Sequence, residues 1–215
     1  MQTVHTIMPE RAVLVDSRED CGTHTLWPEE REVIASATAL RQIQYATVRD
    51  CARQALVQLG LPEAAILTDE KRCPIWPEGI VGSMTHCRGY AAAALVRESD
   101  LRAIGIDAEP AEPLPEGVLR RVTSEQERNH IENLTHTDPR IPWDRLLFSM
   151  KESVYKAWFP LARLPLGFHD VELCIKANQT AEISFLCEVP INLFTQEWHV
   201  RWIVDSGVLF TTVYG

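Results

Sequence analysis

At 215 residues, 46% hydrophobic and 24% charged, the chain has the makeup of a globular protein with room for one large domain or two small lobes. A formal net charge of −9, with no basic stripe interleaved with aromatics, argues against nucleic acid as a partner. No apolar run approaches the roughly 20 residues needed to cross a bilayer, and the N-terminus lacks the basic start and apolar core of a secretory leader, so a cytoplasmic protein without a membrane span is expected.

Pro28-Glu29-Glu30 reads as a first helical turn and Leu59-Gly60-Leu61-Pro62 as a helix stop followed by a turn, with one helix, or two broken near Ser36, between them. Tyr90-Ala91-Ala92-Ala93-Ala94-Leu95 favours helix on propensity alone. A strand then ends in Gly105-Ile106-Asp107-Ala108-Glu109-Pro110, where alternation puts Asp107 and Glu109 on one face. Residues 110–117, rich in proline and glycine, read as a linker. Thr123 with Gln126 reads as a capping box opening a short helix.

A long helix is predicted over 143–159, because Trp143, Leu147, Met150, Val154 and Trp158 recur at three- and four-residue spacing as a buried stripe. Glu152 lies about 200° from Met150 and Val154, facing away from that stripe, and Lys156 follows one turn later. Phe148, Tyr155 and Phe159 flank them as an apolar wall. Alternating strands run to the end, including 197–204 and 208–214 around Asp205-Ser206-Gly207. Six cysteines are scattered without a Cys-x-x-Cys pair, which argues against a zinc site and for free thiols.

The strand end and the long helix together offer the carboxylates Asp107, Glu109 and Glu152 and the lysines Lys151 and Lys156. Mg²⁺ typically takes a few carboxylates, keeps waters and completes its octahedron with substrate phosphate oxygens, so this set suits metal-assisted transfer at phosphorus. Taken singly, each motif also matches a polar strand end or a solvated Glu–Lys pair.

In this order and at this separation, the motifs resemble 4′-phosphopantetheinyl transferases of the surfactin type, in the branch of the enterobactin-synthase component and its actinobacterial relatives. Trp27-Pro28-Glu29-Glu30, Thr47 to Leu56 with Leu59-Gly60, Trp76-Pro77, Val81-Gly82-Ser83-Met84-Thr85-His86-Cys87, Trp143-Asp144 and Lys156-Ala157-Trp158-Phe159-Pro160-Leu161 extend the resemblance over most of the chain. It implies transfer of the 4′-phosphopantetheine arm of coenzyme A to a serine of an acyl or peptidyl carrier protein, with release of adenosine 3′,5′-bisphosphate. The implied metal ligands are Asp107, Glu109 and Glu152, for Mg²⁺ or Mn²⁺. Ala108 matches the Asp-Ala-Glu variant of this branch.

The resemblance assigns coenzyme A contacts to Arg41, Arg49, Lys71, Ser83, Thr85 and His86. Lys151 would hold the diphosphate, Lys156 would stabilise the leaving bisphosphate, and Glu152 would take the serine proton directly or through water. Lys71-Arg72-Cys73-Pro74 departs from the Lys-Gly-x-Pro of many relatives. Losing that glycine removes easy access to positive φ and leaves open the loop path and which cation meets a phosphate. Because the global charge repels anionic partners, local cations must recruit them, and Arg120-Arg121 is a candidate contact for an acidic carrier helix.

The implied fold is α+β: a pseudo-twofold pair of α/β lobes, each a small antiparallel sheet packed on a long helix, in a monomer. The lobes would span 1–109 and 118–215 about the 110–117 linker, with coenzyme A between them. In this picture 90–97 and 102–109 form a hairpin through Glu98-Ser99-Asp100, and the alanine run is a strand. A metal-dependent phosphohydrolase of coenzyme A and a weakly active coenzyme A-binding assembly component are the alternative readings.

Overall fold

The computed structural model describes residues 3–189 and 197–215. The first half is a three-stranded antiparallel sheet packed on a helix. Strand β1 (Val13–Ser17) precedes helices α1 (Pro28–Ile34) and α2 (Ala39–Gln58), strands β2 (Ile80–Cys87) and β3 (Tyr90–Arg97) follow them, and the sheet order is β1-β3-β2. Pro28 opens α1 with the φ a helix needs, and Thr38 caps α2 by accepting from the Arg41 amide. Gly60, at φ 76, ends that helix in the left-handed region glycine tolerates best.

The alanine run is a strand. Ala93 and Leu95 pack towards α2, while Ala92, Ala94 and Val96 pack on the opposite side against Ile104, Ile106 and Phe210. A strand buried on both faces reads as a continuous apolar run, which is why helix propensity misleads here.

The second half is a five-stranded sheet in the order β4-β8-β7-β6-β5, formed by β4 (Ile104–Pro110), β5 (Val171–Ile175), β6 (Thr180–Phe185), β7 (His199–Asp205) and β8 (Val208–Tyr214). Helices α3 (Val118–Val122), α4 (Glu125–Thr137) and α5 (Trp143–Ala162) complete it. The predicted stripe on α5 is buried in full, Trp143, Leu147, Met150, Val154 and Trp158 each being at most 3% exposed. The helix runs three residues past the predicted end, and the capping box is Ser124 with Glu127 rather than Thr123 with Gln126; the Thr123 hydroxyl instead donates to the Leu119 carbonyl.

The expected hairpin of 90–97 with 102–109 does not form. β3 pairs with β2 through Arg88-Gly89, whereas β4 crosses over and pairs with β8, Asp107 opposite Thr211 and Glu109 opposite Leu209. The strand expected to close the first lobe is therefore the edge of the second sheet, and the change of sheet falls at residues 98–103, before the 110–117 segment. Hydroxyls replace backbone pairing at the junction: Ser83 Oγ accepts from Ile106 N and Thr85 Oγ1 from Ala108 N, each at 3.0 Å. The result is an α+β pair of lobes, each an antiparallel sheet on a long helix, as expected. Among the described residues no helix is long and apolar enough to cross a membrane, and all six cysteines are unpaired.

Candidate functional site

A cavity of about 710 Å³ lies where α2, the loop around Lys71, β2, β4 and α5 meet. Helix α2 contributes Arg41 and Arg49, eight residues apart and on one side of the helix, and β2 contributes Ser83, Thr85 and His86. β4 presents Asp107, and α5 presents Tyr155, Lys156 and Phe159.

Arg41 Nη1 donates to His86 Nε2 at 2.7 Å. Burial, with Arg41 and Lys156 nearby, pushes the His86 imidazole down to about 4. The ring is therefore neutral at physiological pH and meets a ligand as a hydrogen-bonding group, not a cation. Between the unfolded value of 6.5 and about 4, the unfolded chain binds a proton that the folded one refuses, so stability falls as pH drops through that window. A proton titration of the His86 ring by NMR is expected to give a midpoint near 4; a midpoint at the ordinary histidine value would show that the ring is not shielded.

Arg49 is 3% exposed; its Nε donates to the Ile66 carbonyl at 2.9 Å and its guanidinium lies over the Tyr45 ring. Burial pushes it down to about 10, still far above neutrality. It lines the cavity wall as a fixed charge, with Nε already committed.

The loop carrying Lys71 is a tight turn built on Asp69, whose carboxylate accepts from the Lys71 and Cys73 amides at 2.9 Å each. Arg72 takes φ 65, so the loop keeps its left-handed bend although glycine is absent, and Arg72 joins Lys71 on the cavity wall. An L-residue in that region carries strain of about 1–2 kcal/mol, partly offset by the lower backbone entropy loss relative to glycine. Arg72→Gly is expected to raise the melting temperature by an amount corresponding to up to about 1 kcal/mol while removing a cavity cation. An unchanged or lower melt would mean that other Arg72 contacts outweigh the strain. Asp69 also accepts from Arg163, just beyond α5, at 2.5 Å, which ties this loop to the second lobe.

At the β4–α5 end of the cavity, Asp107 is 6% exposed. Its Oδ1 accepts from Lys156 Nζ at 2.8 Å and from Thr85 at 3.3 Å, and its Oδ2 accepts from Ser149 at 2.8 Å. Lys156 also donates to the Ile106 carbonyl at 3.0 Å. Glu109 Oε2 accepts from Arg145 at 2.7 Å. Glu152 borders a second, smaller cavity of about 200 Å³ with Tyr155, Leu166 and Phe168. Burial and the negative charge of Asp107 both push Glu152 above the usual glutamate range. Burial raises Glu109 as well, Asp107 adding to the effect and Arg145 opposing it. Among the described residues no group of three or more His, Cys, Asp or Glu side chains is arranged to hold a metal ion. The three carboxylates are nonetheless near enough for Asp107 to act on both glutamates.

Lys151 does not face this cavity. Its ammonium is buried in the second lobe, donating to Glu127 Oε2 at 2.8 Å and to the Phe168 carbonyl at 2.6 Å. Glu127 also caps α4 and accepts from the Leu173 amide at 3.0 Å, so Lys151 ties α5 to α4 and β5, and a diphosphate in the larger cavity is out of its reach. Sequence reasoning also passed over Ser149 and Arg145, and had left open whether Arg72 reaches the cavity, which it does. Ser149, Ser153 and Ala157 at four-residue spacing were a readable sign of close helix packing.

The two lobes meet at a cation-lined cavity that ends in a carboxylate–lysine pair. The model of the 4′-phosphopantetheinyl transferase N-terminal domain matches residues 29–96, and that of the 4′-phosphopantetheinyl transferase superfamily matches residues 103–210. The two matches divide where the chain changes sheet. The chain is 43% identical to the 4′-phosphopantetheinyl transferase Svp of Streptomyces mobaraensis, over 87% of this chain and 78% of that protein. It is 41% identical to PptT of Mycobacterium tuberculosis, over 86% and 84%, and 31% identical to enterobactin synthase component D of Salmonella typhimurium, over 87% and 78%. The chain belongs to the 4′-phosphopantetheinyl transferase superfamily and is a 4′-phosphopantetheinyl transferase.

Proposed function

We propose that this enzyme takes the 4′-phosphopantetheine arm from coenzyme A and places it on a serine hydroxyl of an acyl or peptidyl carrier protein, releasing adenosine 3′,5′-bisphosphate. The observation that carries the reading is the convergence of Arg41, Arg49, Lys71, Arg72 and Lys156 on one cavity that ends at Asp107. Its volume lies in the range of small-molecule sites. A polyanion with a diphosphate and a further phosphate needs several cations, which an acidic protein must concentrate locally.

The all-oxygen donor set of Asp107, Glu109 and Glu152 fits a hard divalent cation, and the mutual repulsion of these carboxylates favours a positive charge among them. Mg²⁺ or Mn²⁺ held there would supply charge neutralisation at a diphosphate. The chain's own residues do the rest. Arg41 and Lys71 grip phosphates, and neutral His86 hydrogen-bonds beside them. Glu152 takes the serine proton, directly or through a water, as the serine oxygen bonds to phosphorus and the phosphorus bond to the bisphosphate breaks. Lys156, poised on Asp107, turns to the departing phosphate. A buried carboxyl raised above its usual range is a better base than an exposed one, which suits Glu152 to this role. The exposed pair Arg120 and Arg121 on α3 offers positive charge to an acidic carrier; reversing both charges should raise the Michaelis constant for the carrier and leave that for coenzyme A alone.

The test is the intact mass of an apo carrier protein incubated with the enzyme, coenzyme A and Mg²⁺, with an EDTA arm. A gain of one phosphopantetheine only in the metal arm supports the reading. Cleavage of coenzyme A with no carrier labelling would replace it with a hydrolase. A panel of carriers from fatty-acid, polyketide, nonribosomal-peptide and siderophore synthesis identifies the acceptor, and the kinship to an enterobactin synthase component puts siderophore carriers first.

A further inference from the structure

The cations of the large cavity differ in what holds them. Arg41 and Arg49 ride on α2 and Lys156 on α5. Lys71 and Arg72 stand instead on residues 59–79, a connection between α2 and β2 with no helix or strand, only an isolated bridge between Thr68 and Pro74. Long connections of this kind move unless they are tied down. The base of this one is tied within the first lobe, the Ile66 amide donating to Glu30 at 2.8 Å and the Ile66 carbonyl accepting from Arg49 at 2.9 Å. Its tip is tied to the second lobe. Cys73 is buried against Trp158 and Phe159 of α5, and Asp69 accepts from Arg163 Nη1 at 2.5 Å.

Asp69 works in two directions. Its Oδ1 takes the Lys71 and Cys73 amides and so folds the turn, while its Oδ2 takes Arg163. The Cys73 amide above all, with Arg163 and the Lys71 amide, holds the Asp69 carboxyl below its ordinary range, so the charge is present at neutral pH. Arg163 is the C-cap of α5, at φ 53, two turns beyond Lys156 on the same helix. Its guanidinium lies 6.0 Å from the centroid of the Phe159 ring, and Lys71 Nζ lies 5.8 Å from the same centroid. The Cys73 contact sets how close the loop lies to α5. A single small apolar contact leaves the turn free to swivel, and the Asp69–Arg163 pair removes that freedom.

We propose that Asp69 and Arg163 form a latch between the lobes that presets Lys71 and Arg72 for the phosphates of the coenzyme. This rests on the reading of the cavity as a coenzyme A site. Neither Asp69 nor Arg163 is among the described residues that line the cavity, so both are positioning residues that act through the loop. The Arg163 and Asp69 side chains are 56% and 29% exposed, and such a pair adds little to the stability of the fold. Its effect falls on binding, because a loop already in place spares the ligand the cost of ordering it. The latch also predicts a sign. Asp69 puts a negative charge beside a site for a polyanion, so on direct electrostatics its removal would tighten binding. As half of a latch, its removal weakens binding.

The experiment is isothermal titration of coenzyme A into the full-length protein with no carrier present. Asp69→Asn keeps an acceptor oxygen for the turn and drops the charge, Arg163→Met keeps the apolar stem and drops the guanidinium, and the double variant closes the cycle. Each single variant should raise Kd about two- to fivefold, the range of an exposed ion pair, and the double variant should be no worse than either. Arg163→Lys should recover part of the loss, and all four proteins should melt within about 3 °C of the native one. The inference is overturned if Asp69→Asn binds coenzyme A as tightly as the native protein or more tightly, if Arg163→Met binds it as the native protein does, or if the two losses add in the double variant. A native protein that does not bind coenzyme A overturns instead the reading of the cavity beneath it.

Discussion

Glu152→Gln is expected to lower turnover by about 10²–10⁴-fold, the usual contribution of a positioned general base, with coenzyme A affinity nearly intact. The cations that line the large cavity come from α2, the Lys71 loop and Lys156, and none of them pairs with Glu152. Glutamine keeps the shape of the side chain and its carbonyl acceptor but cannot take a proton. The same change should leave the fold as stable as before or more so. Burial and Asp107 hold the Glu152 carboxyl above its ordinary range, which means that ionising it costs more in the folded chain than in the unfolded one. For a carboxyl raised in this way, stability is full below the unfolded pKa and is lost as pH rises through the folded value. In EDTA, the native enzyme should therefore lose stability on going from acid towards neutral pH by more than Glu152→Gln does. Turnover, isothermal titration with coenzyme A and thermal melts at two pH values separate these effects. A variant that turns over normally removes Glu152 from the chemistry, and one that melts lower at neutral pH contradicts the strain assigned to its charge.

The parts of the molecule legible in the sequence are those decided by local periodicity. The α5 stripe, the Pro28 start, the Gly60 stop and the pairing of the last two strands follow from spacing, capping and turn chemistry within a few residues. Strand pairing was not legible for β4. Glu98-Ser99-Asp100 does turn the chain, the Asp100 amide donating to the Arg97 carbonyl at 2.9 Å, but whether the next strand folds back on β3 or crosses to β8 depends on a partner a hundred residues away. Lys151 misled for a related reason. One residue from the buried stripe, it is covered by α4 and β5, and its partner Glu127 was visible only as an unremarkable acidic residue in the first turn of a helix. The position of Arg49 on the cavity side of α2 was predictable from helix geometry; its burial against Tyr45 was not, because that depends on how the 59–68 segment folds back to offer the Ile66 carbonyl.

Gly105→Ala should be the most damaging small substitution in the second lobe. Gly105 lies on β4 on the same face as Asp107 and Glu109, the face that meets α5. A Cβ there would sit 2.0 Å from the Ser153 carbonyl oxygen, 2.7 Å from the Ala157 amide nitrogen and 3.1 Å from Ala157 Cβ. Two of these three atoms are helix backbone, so no side-chain rotation relieves the clash, and α5 itself must move. It touches β4 and β8 through Ser149, Ser153 and Ala157, all at most 1% exposed, so a shift large enough to admit a methyl group opens that whole seam. Overpacking of this kind costs about 3 kcal/mol or more, and at this chain length that lowers the melting temperature by roughly 6–12 °C. Activity should fall further than stability, since the same shift separates Asp107 from Ser149 and Lys156, both now at 2.8 Å. Gly82→Ala is the matched control. Its added Cβ would meet Leu95 Cδ2 at 2.2 Å and the Trp76 ring at 2.9 Å, side-chain atoms rather than the backbone of a helix, so the site's helix need not move. Melting of both variants beside the native enzyme, with turnover measured well below the transition, decides the point: a Gly105→Ala protein that melts within a degree or two of native and turns over normally would mean that the close approach of β4 to α5 is not what sets the site.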